Sequence, residues 1–250
     1  MTHSFTLSST TRIREEASAG KNTATKLGGF AAPQPPPLPV IVLADVSGSM
    51  TENQKIETLN QALQAMIESF AKESRLRAEI QVGLITFGID GAKEHLPVVA
   101  AHRVESMETL RASGPTPMGQ AFTLARQWLE DKERVPSRAY RPVLVLVSDG
   151  APTDNWEGPL SALKGSERAQ KATRFAMAIG ADADTDMLAQ FANDREAPVF
   201  QADGARDIVR FFRAVTMSVV ARSTSTTPDQ IQTLKLVPDA LDDDLDLDDL

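Results

Sequence analysis

The chain from Val40 to Ala44 is apolar without a break and stops abruptly at Asp45. A continuous apolar run that short fits a strand covered on both faces. Ile56, Leu59, Leu63, Met66, Ile67 and Phe70 then recur at helical spacing. Ile80, Val82, Leu84, Ile85 and Phe87 predict the next strand, and Leu96 to Val104 reads as another. Phe122, Ala125, Trp128 and Leu129 predict a helix ending near Arg134, followed by an apolar strand from Val143 to Val147. Phe175 to Ile179 and Pro198 to Phe200 read as further strands. Met187, Leu188 and Phe191 place a helix between them, and Ile208, Val209, Phe211, Phe212 and Val215 predict the last one. Strands alternating with helices argue for an α/β fold: one domain with a doubly wound, parallel sheet. No internal repeat is visible.

The flanks have a different texture. Residues 1–39 are rich in Ser, Thr, Gly and Pro and end in Pro33-Gln34-Pro35-Pro36-Pro37-Leu38-Pro39, which reads as a stiff linker into the first strand. Phe5-Thr6-Leu7 is a candidate short edge strand. The folded domain is expected over 40–221 and a disordered acidic tail over 222–250. The last nine residues, DDDLDLDDL, hold six aspartates, and like charges so dense stay solvated. Removing those six from the net charge of −8 leaves −2, so the body is nearly neutral. It offers no basic face of the kind nucleic-acid binding needs. With 42% hydrophobic residues the chain can bury a core, which excludes wholesale disorder. The absence of cysteine excludes disulfides and thiolate metal sites. No stretch has the length of a signal peptide or membrane span, so a cytoplasmic protein without a membrane partner is expected.

In an open parallel sheet, ligands sit beyond the carboxyl ends of the strands. Asp45, Ser47 and Ser49 follow the first apolar strand, Ser148-Asp149-Gly150 follows the strand from Val143, and Gly114-Pro115-Thr116-Pro117-Met118-Gly119 opens the helix through Phe122. All of these side chains offer hard oxygens, which suit Mg²⁺ or Mn²⁺ better than a soft metal. Few charges surround such an ion, so it would favour a carboxylate from elsewhere. Other readings stand beside this one. Ser49 or Thr51 could cap the helix through Ile56, Thr116-Pro117 is a good N-cap and N1 pair, and Asp149-Gly150 could be an ordinary turn. Asp154 is a candidate outer carboxylate of the site, and Trp156 reads as a residue that pins its own loop. Asp45 also sits where a haloacid-dehalogenase-like phosphatase keeps its nucleophile. That chemistry needs a second carboxylate two residues on, where this chain has Ser47. Neither a Walker A motif, nor Gly-x-Gly-x-x-Gly after a strand, nor a nucleophile elbow is present. His3, His95 and His102 are too scattered for a zinc site or catalytic base. A metal-independent scaffold using the leader or tail is the structural alternative.

DVSGS, followed by Thr116 and Asp149 in order, resembles the metal-ion-dependent adhesion motif of von Willebrand factor A (vWA) domains. The resemblance runs from about Val40 to Val220. The stretches SDGAPTDNW, GADADTDML and RDIVRFFRAV further resemble bacterial TerY-type proteins of the tellurium-resistance group. This likeness implies a Rossmann-like sheet with one antiparallel edge strand and helices on both faces. It implies a Mg²⁺ or Mn²⁺ ion held by Asp45, Ser47, Ser49, Thr116 and Asp149, and a non-enzymatic role as an adaptor. The partner would supply an Asp or Glu carboxylate, and a protein kinase and a PP2C-type phosphatase are implied associates. The acidic tail is a candidate competitor for the same site in cis.

Overall fold

Side chains of the central strand β2 (Pro37–Asp45) divide strictly by alternation. Leu38, Val40, Val42 and Ala44 enter one core, whereas Ile41 and Leu43 enter a second on the opposite face. A computed structural model, describing residues 11–14, 34–73, 75–193 and 199–229, repeats this division in the neighbouring strands. In β6 (Val143–Ser148), Val143, Val145 and Val147 share the first core, and Leu144 and Leu146 the second. Continuous apolar runs arise because both faces are covered. The first core is closed by α1 (Lys55–Lys72) and α6 (Ala205–Thr224). The second is closed by α2 (Met118–Glu130), α3 (Glu157–Gly165), α4 (Glu167–Lys171) and α5 (Thr185–Phe191).

The sheet also contains β3 (Glu79–Gly88), β4 (Gly91–Ala100), β7 (Thr173–Ile179) and β8 (Phe200–Ala202), in the order β4-β3-β2-β6-β7-β8. All neighbours are parallel except β3 and β4, which makes β4 an antiparallel edge strand. The chain leaves β2 towards β3 on one side and later returns to β6 on the other. The topological switch point therefore lies between the carboxyl ends of β2 and β6, the standard place for a ligand crevice in this architecture. A separate ribbon pairs β1 (Arg12–Ile13) with β5 (Val104–Ser106).

Several boundaries differ from the sequence reading. Pro37 and Pro39 belong to β2 and not to a linker. Pro36 accepts from the Glu79 N–H and Pro37 from the Tyr140 N–H, so Pro37 and Pro39 face the β6 side, where pairing begins only at Val40. Their missing N–H groups leave no gap in the ladder. The strand expected from Leu96 to Val104 is β4, ending at Ala100. As an edge strand it is only half covered, which blurs its apolar pattern. The short α3 and α4 were not anticipated, since they bury only Leu160, Leu163 and Ala169. At the other end, α6 runs to Thr224, beyond the expected boundary at 221. Buried Arg222 donates from Nε to the Pro228 carbonyl and from Nη2 to that of Arg141, each at 2.8 Å. Asp229 in turn accepts from the Arg141 N–H at 2.7 Å, so described structure continues to that residue. The candidate strand at Phe5–Leu7 and the acidic segment 230–250 lie outside the described residues. Among those described, no helix is long and apolar enough to cross a membrane.

Candidate metal centre

Three loops meet at the switch point, and backbone hydrogen bonds stitch them together. The Gly48 N–H donates to the Gly114 carbonyl at 2.9 Å, and the Ser113 N–H to that of Val46 at 2.7 Å. These bonds fix the loop carrying Thr116 against the turn leaving β2. On its far side, the Thr153 N–H donates to the Thr116 carbonyl, and the Thr116 N–H to the Thr153 hydroxyl, both at 3.0 Å. The loop after β6 is thereby tied to the loop before α2.

Within this frame the hydroxyls and carboxylates line up. Asp45, the last residue of β2, is fully buried. Its Oδ1 accepts the Ser47 N–H at 2.8 Å and its Oδ2 the Ser148 hydroxyl at 2.5 Å. The Ser47 and Ser49 hydroxyls are 3.1 Å apart, and Ser49 Oγ donates to Asp149 Oδ1 at 2.6 Å. Lys55 Nζ lies 2.7 Å from Asp149 Oδ2. Burial pushes the Asp45 carboxyl up from its ordinary 3.8 to about 6. The hydrogen bonds from Ser148 and Ser47 oppose that shift, and the nearby Asp149 charge adds to it. A carboxylate held in this way gains from a cation placed beside it.

Thr116 is not a helix cap. α2 begins at Met118 with no side-chain cap from its own N-terminus. Instead Asp154 reaches across, its Oδ1 accepting the Gly119 N–H at 2.8 Å and its Oδ2 the Gln120 N–H at 3.1 Å. Both Asp154 oxygens thus serve the helix start, and the Thr116 hydroxyl is not used as its cap. Gly119 is required for the approach, because a Cβ there would lie 2.2 Å from the Asn155 carbonyl oxygen. Neither Ser49 nor Thr51 caps α1: Ser49 donates to Asp149, and Thr51 donates to the Gly48 carbonyl at 2.7 Å. Trp156, half-buried, packs on the second core beside its own loop. Lys55, which neither the motif nor its spacing singles out, is the addition made by the structure.

A Cβ built on Gly150 would lie 3.7 Å from Thr116 Oγ1 and 3.9 Å from Ser49 Oγ, so a side chain there would touch both hydroxyls. Among the described residues no cluster of three or more His, Asp or Glu side chains is arranged for a metal. A cation here would depend on hydroxyls together with two carboxylates. That donor set fits a hard divalent ion which retains water or borrows a further anionic ligand. Gly150→Ala tests this position directly. Its contacts are of ordinary van der Waals length, so urea denaturation should place its stability within about 1 kcal/mol of wild type. Its Mn²⁺ affinity should fall at least about tenfold, equivalent to about 1.4 kcal/mol, read by calorimetric titration.

Comparison with known proteins agrees with this architecture. The profile of the von Willebrand factor type A domain matches residues 40–214. Similar solved structures include proximal thread matrix protein 1 from the mussel byssus, in a form with a zinc-occupied MIDAS motif. It has 17% sequence identity and a TM-score of 0.58, covering 75% of this chain and 48% of that one. The pilus adhesin SpaC of Lactobacillus rhamnosus GG gives a TM-score of 0.60 at 14% identity, covering 75% of this chain and 31% of the adhesin. A von Willebrand factor type A protein of Catenulispora acidiphila gives 0.55 at 19% identity, covering 74% of this chain and 42% of that one. The chain thus corresponds to less than half the length of each, and likeness at these identities speaks for the fold. None of the curated proteins searched matches the sequence. With the matched residues filling well over half its length, the chain belongs to the von Willebrand factor type A family.

Proposed function

We propose that the chain is a divalent-cation-dependent protein-interaction module. Asp45, Ser47, Ser49, Thr116 and Asp149 would hold Mg²⁺ or Mn²⁺, and a partner protein would complete the ion with an Asp or Glu carboxylate. The observation that carries this reading is the convergence of three loops at the switch point, with Asp45 buried beneath a chain of oxygens running from Ser47 through Ser49 to Asp149. The ion would supply a fixed positive charge able to recognise a carboxylate. The protein residues orient one another through the hydrogen bonds above and shield the lower side of the site from water. Ile89 is 65% exposed, and its N–H donates to the Ser113 carbonyl in the same loop cluster. An apolar side chain there suits a protein partner better than a small anion.

The arrangement around Asp45 favours binding over phosphoryl transfer. Both its oxygens are engaged and the residue is 0% exposed, whereas a nucleophile must face its substrate. Ser47, at the position where that mechanism needs an acid, lends its N–H to Asp45 instead. The finer setting, an adaptor in a bacterial TerY-type stress system working with a kinase and a PP2C-type phosphatase, rests on the sequence stretches that resemble that group. Its test is association with such a kinase or phosphatase in Mg²⁺ and its loss in chelator.

For the module itself, a peptide carrying a single Glu is titrated into the full chain in Mg²⁺, in chelator, and with Asp45→Ala. Binding is expected only for wild type in Mg²⁺. Equal binding in chelator would leave a metal-independent scaffold as the correct reading.

A further inference from the structure

Lys55 opens α1 beside the metal centre, and the backbone is bent to bring it there. Asn53 and Gln54 both occupy the left-handed region, with φ of 52° and 59°. Side-chain-bearing residues seldom adopt that conformation, and consecutive cases need compensation from the surrounding structure. At the end of this turn the Lys55 ammonium meets Asp149 Oδ2 at 2.7 Å, with the lysine side chain 14% exposed and the carboxylate 0%. Asp149 Oδ1 accepts the Ser49 hydroxyl. Both oxygens of one of the two carboxylates are thus engaged, one of them by a cation that belongs to the chain.

Charge balance gives this contact a consequence. Asp45 and Asp149 together match one divalent ion, but with Lys55 on Asp149 only a single negative charge is left. An ammonium and a divalent cation crowded onto one buried carboxylate repel each other strongly where the effective dielectric is low. A lysine stem is long and flexible enough to carry its ammonium into solvent. We infer that Lys55 is a tethered counter-cation of the site: it neutralises Asp149 in the metal-free protein and is displaced when the divalent ion binds. The ion therefore competes with a charge that is always present, and its affinity is set lower than the oxygen ligands alone would give. This rests on the metal-dependent reading above.

The test is Mn²⁺ titration of the full chain as wild type, Lys55→Met and Lys55→Arg, with Mg²⁺ as competitor. Lys55→Met should bind the ion about tenfold more tightly, equivalent to about 1.4 kcal/mol, while Lys55→Arg stays close to wild type. Without ion, Lys55→Met should unfold at lower temperature than wild type, and saturating ion should close that gap. In wild type, a ¹⁵N-lysine spectrum should show the Lys55 ammonium signal, assigned by its absence in Lys55→Arg, moving on saturation with Mg²⁺. Equal affinities for wild type and Lys55→Met, or an ammonium signal unmoved at saturation, would overturn the inference while leaving the metal site intact. If neither protein bound an ion, the metal-dependent reading itself would fall and take the inference with it. The wild-type spectrum decides the matter even if Lys55→Met does not fold.

Discussion

Asp45→Ala should lose divalent-ion binding by more than about 100-fold while keeping the fold, since even residues that only orient a metal ligand are worth 10–100-fold. The substitution removes a fully buried carboxylate and leaves the Ser47 N–H and the Ser148 hydroxyl without their acceptor. Two effects offset each other. The orphaned donors cost stability, although Ser148 Oγ still lies 3.3 Å from the Gly150 carbonyl. Against that, the buried charge no longer has to be kept out of water. Urea denaturation in chelator at pH 7 should therefore show a change within about 1 kcal/mol, to either side. At an ion concentration 100 times its Kd, wild type should gain about 2.7 kcal/mol and Asp45→Ala less than about 0.4 kcal/mol.

The same carboxyl makes a pH prediction with a definite sign. Its folded value of about 6 lies above its ordinary 3.8, so the folded state holds this proton more tightly than the unfolded chain does. Its contribution is most favourable below about pH 4 and is lost as pH rises through about 6. Measured in chelator as the difference between wild type and Asp45→Asn, relative stability should decline over that window by on the order of 3 kcal/mol. A flat difference curve would mean that Asp45 is not held in a desolvated pocket.

Asp149→Ala should have the larger effect on the metal-free fold. It removes an acceptor from Ser49 and strands the Lys55 ammonium in a position only 14% exposed. A fully buried pair broken in this way costs 3–5 kcal/mol. Because Lys55 can extend to solvent, about 1–3 kcal/mol is expected here. The double variant Asp149→Ala/Lys55→Met should recover part of that loss, with a coupling of about 1–2 kcal/mol in the mutant cycle. Additive single effects would show the ion pair to be without energetic weight. Ion binding should be lost in Asp149→Ala and in the double variant alike.

Much of the architecture was legible because the central strands are buried on both faces. Val40–Ala44 and Val143–Val147 announce themselves as unbroken apolar runs, and their ends carry Asp45 and Ser148-Asp149 to adjacent positions on the sheet edge. What escaped the sequence reading has two physical causes, a weak local pattern or a partner distant in the chain. β4 is an edge strand in an antiparallel hairpin, and the exposed neighbours Lys93 and Glu94 break the apolar signal. Thr116 stood as a metal ligand with helix capping as the alternative, and the helix start is instead held by Asp154 from a loop 35 residues away. Lys55 lies outside the motif altogether. Its pairing with Asp149, 94 positions on, exists only because β2 and β6 are neighbours.

The claim that the whole reading depends on is that the oxygens of the three loops hold a divalent ion. Calorimetric titration of Mn²⁺ into the metal-free full chain, in parallel with Asp45→Ala, tests it most directly. One ion per wild-type chain, displaced by Mg²⁺ and absent in Asp45→Ala, is the expected result. No binding to wild type in the millimolar range, or the same binding in Asp45→Ala, would contradict it and leave the hydroxyls and carboxylates as structural groups that tie three loops together.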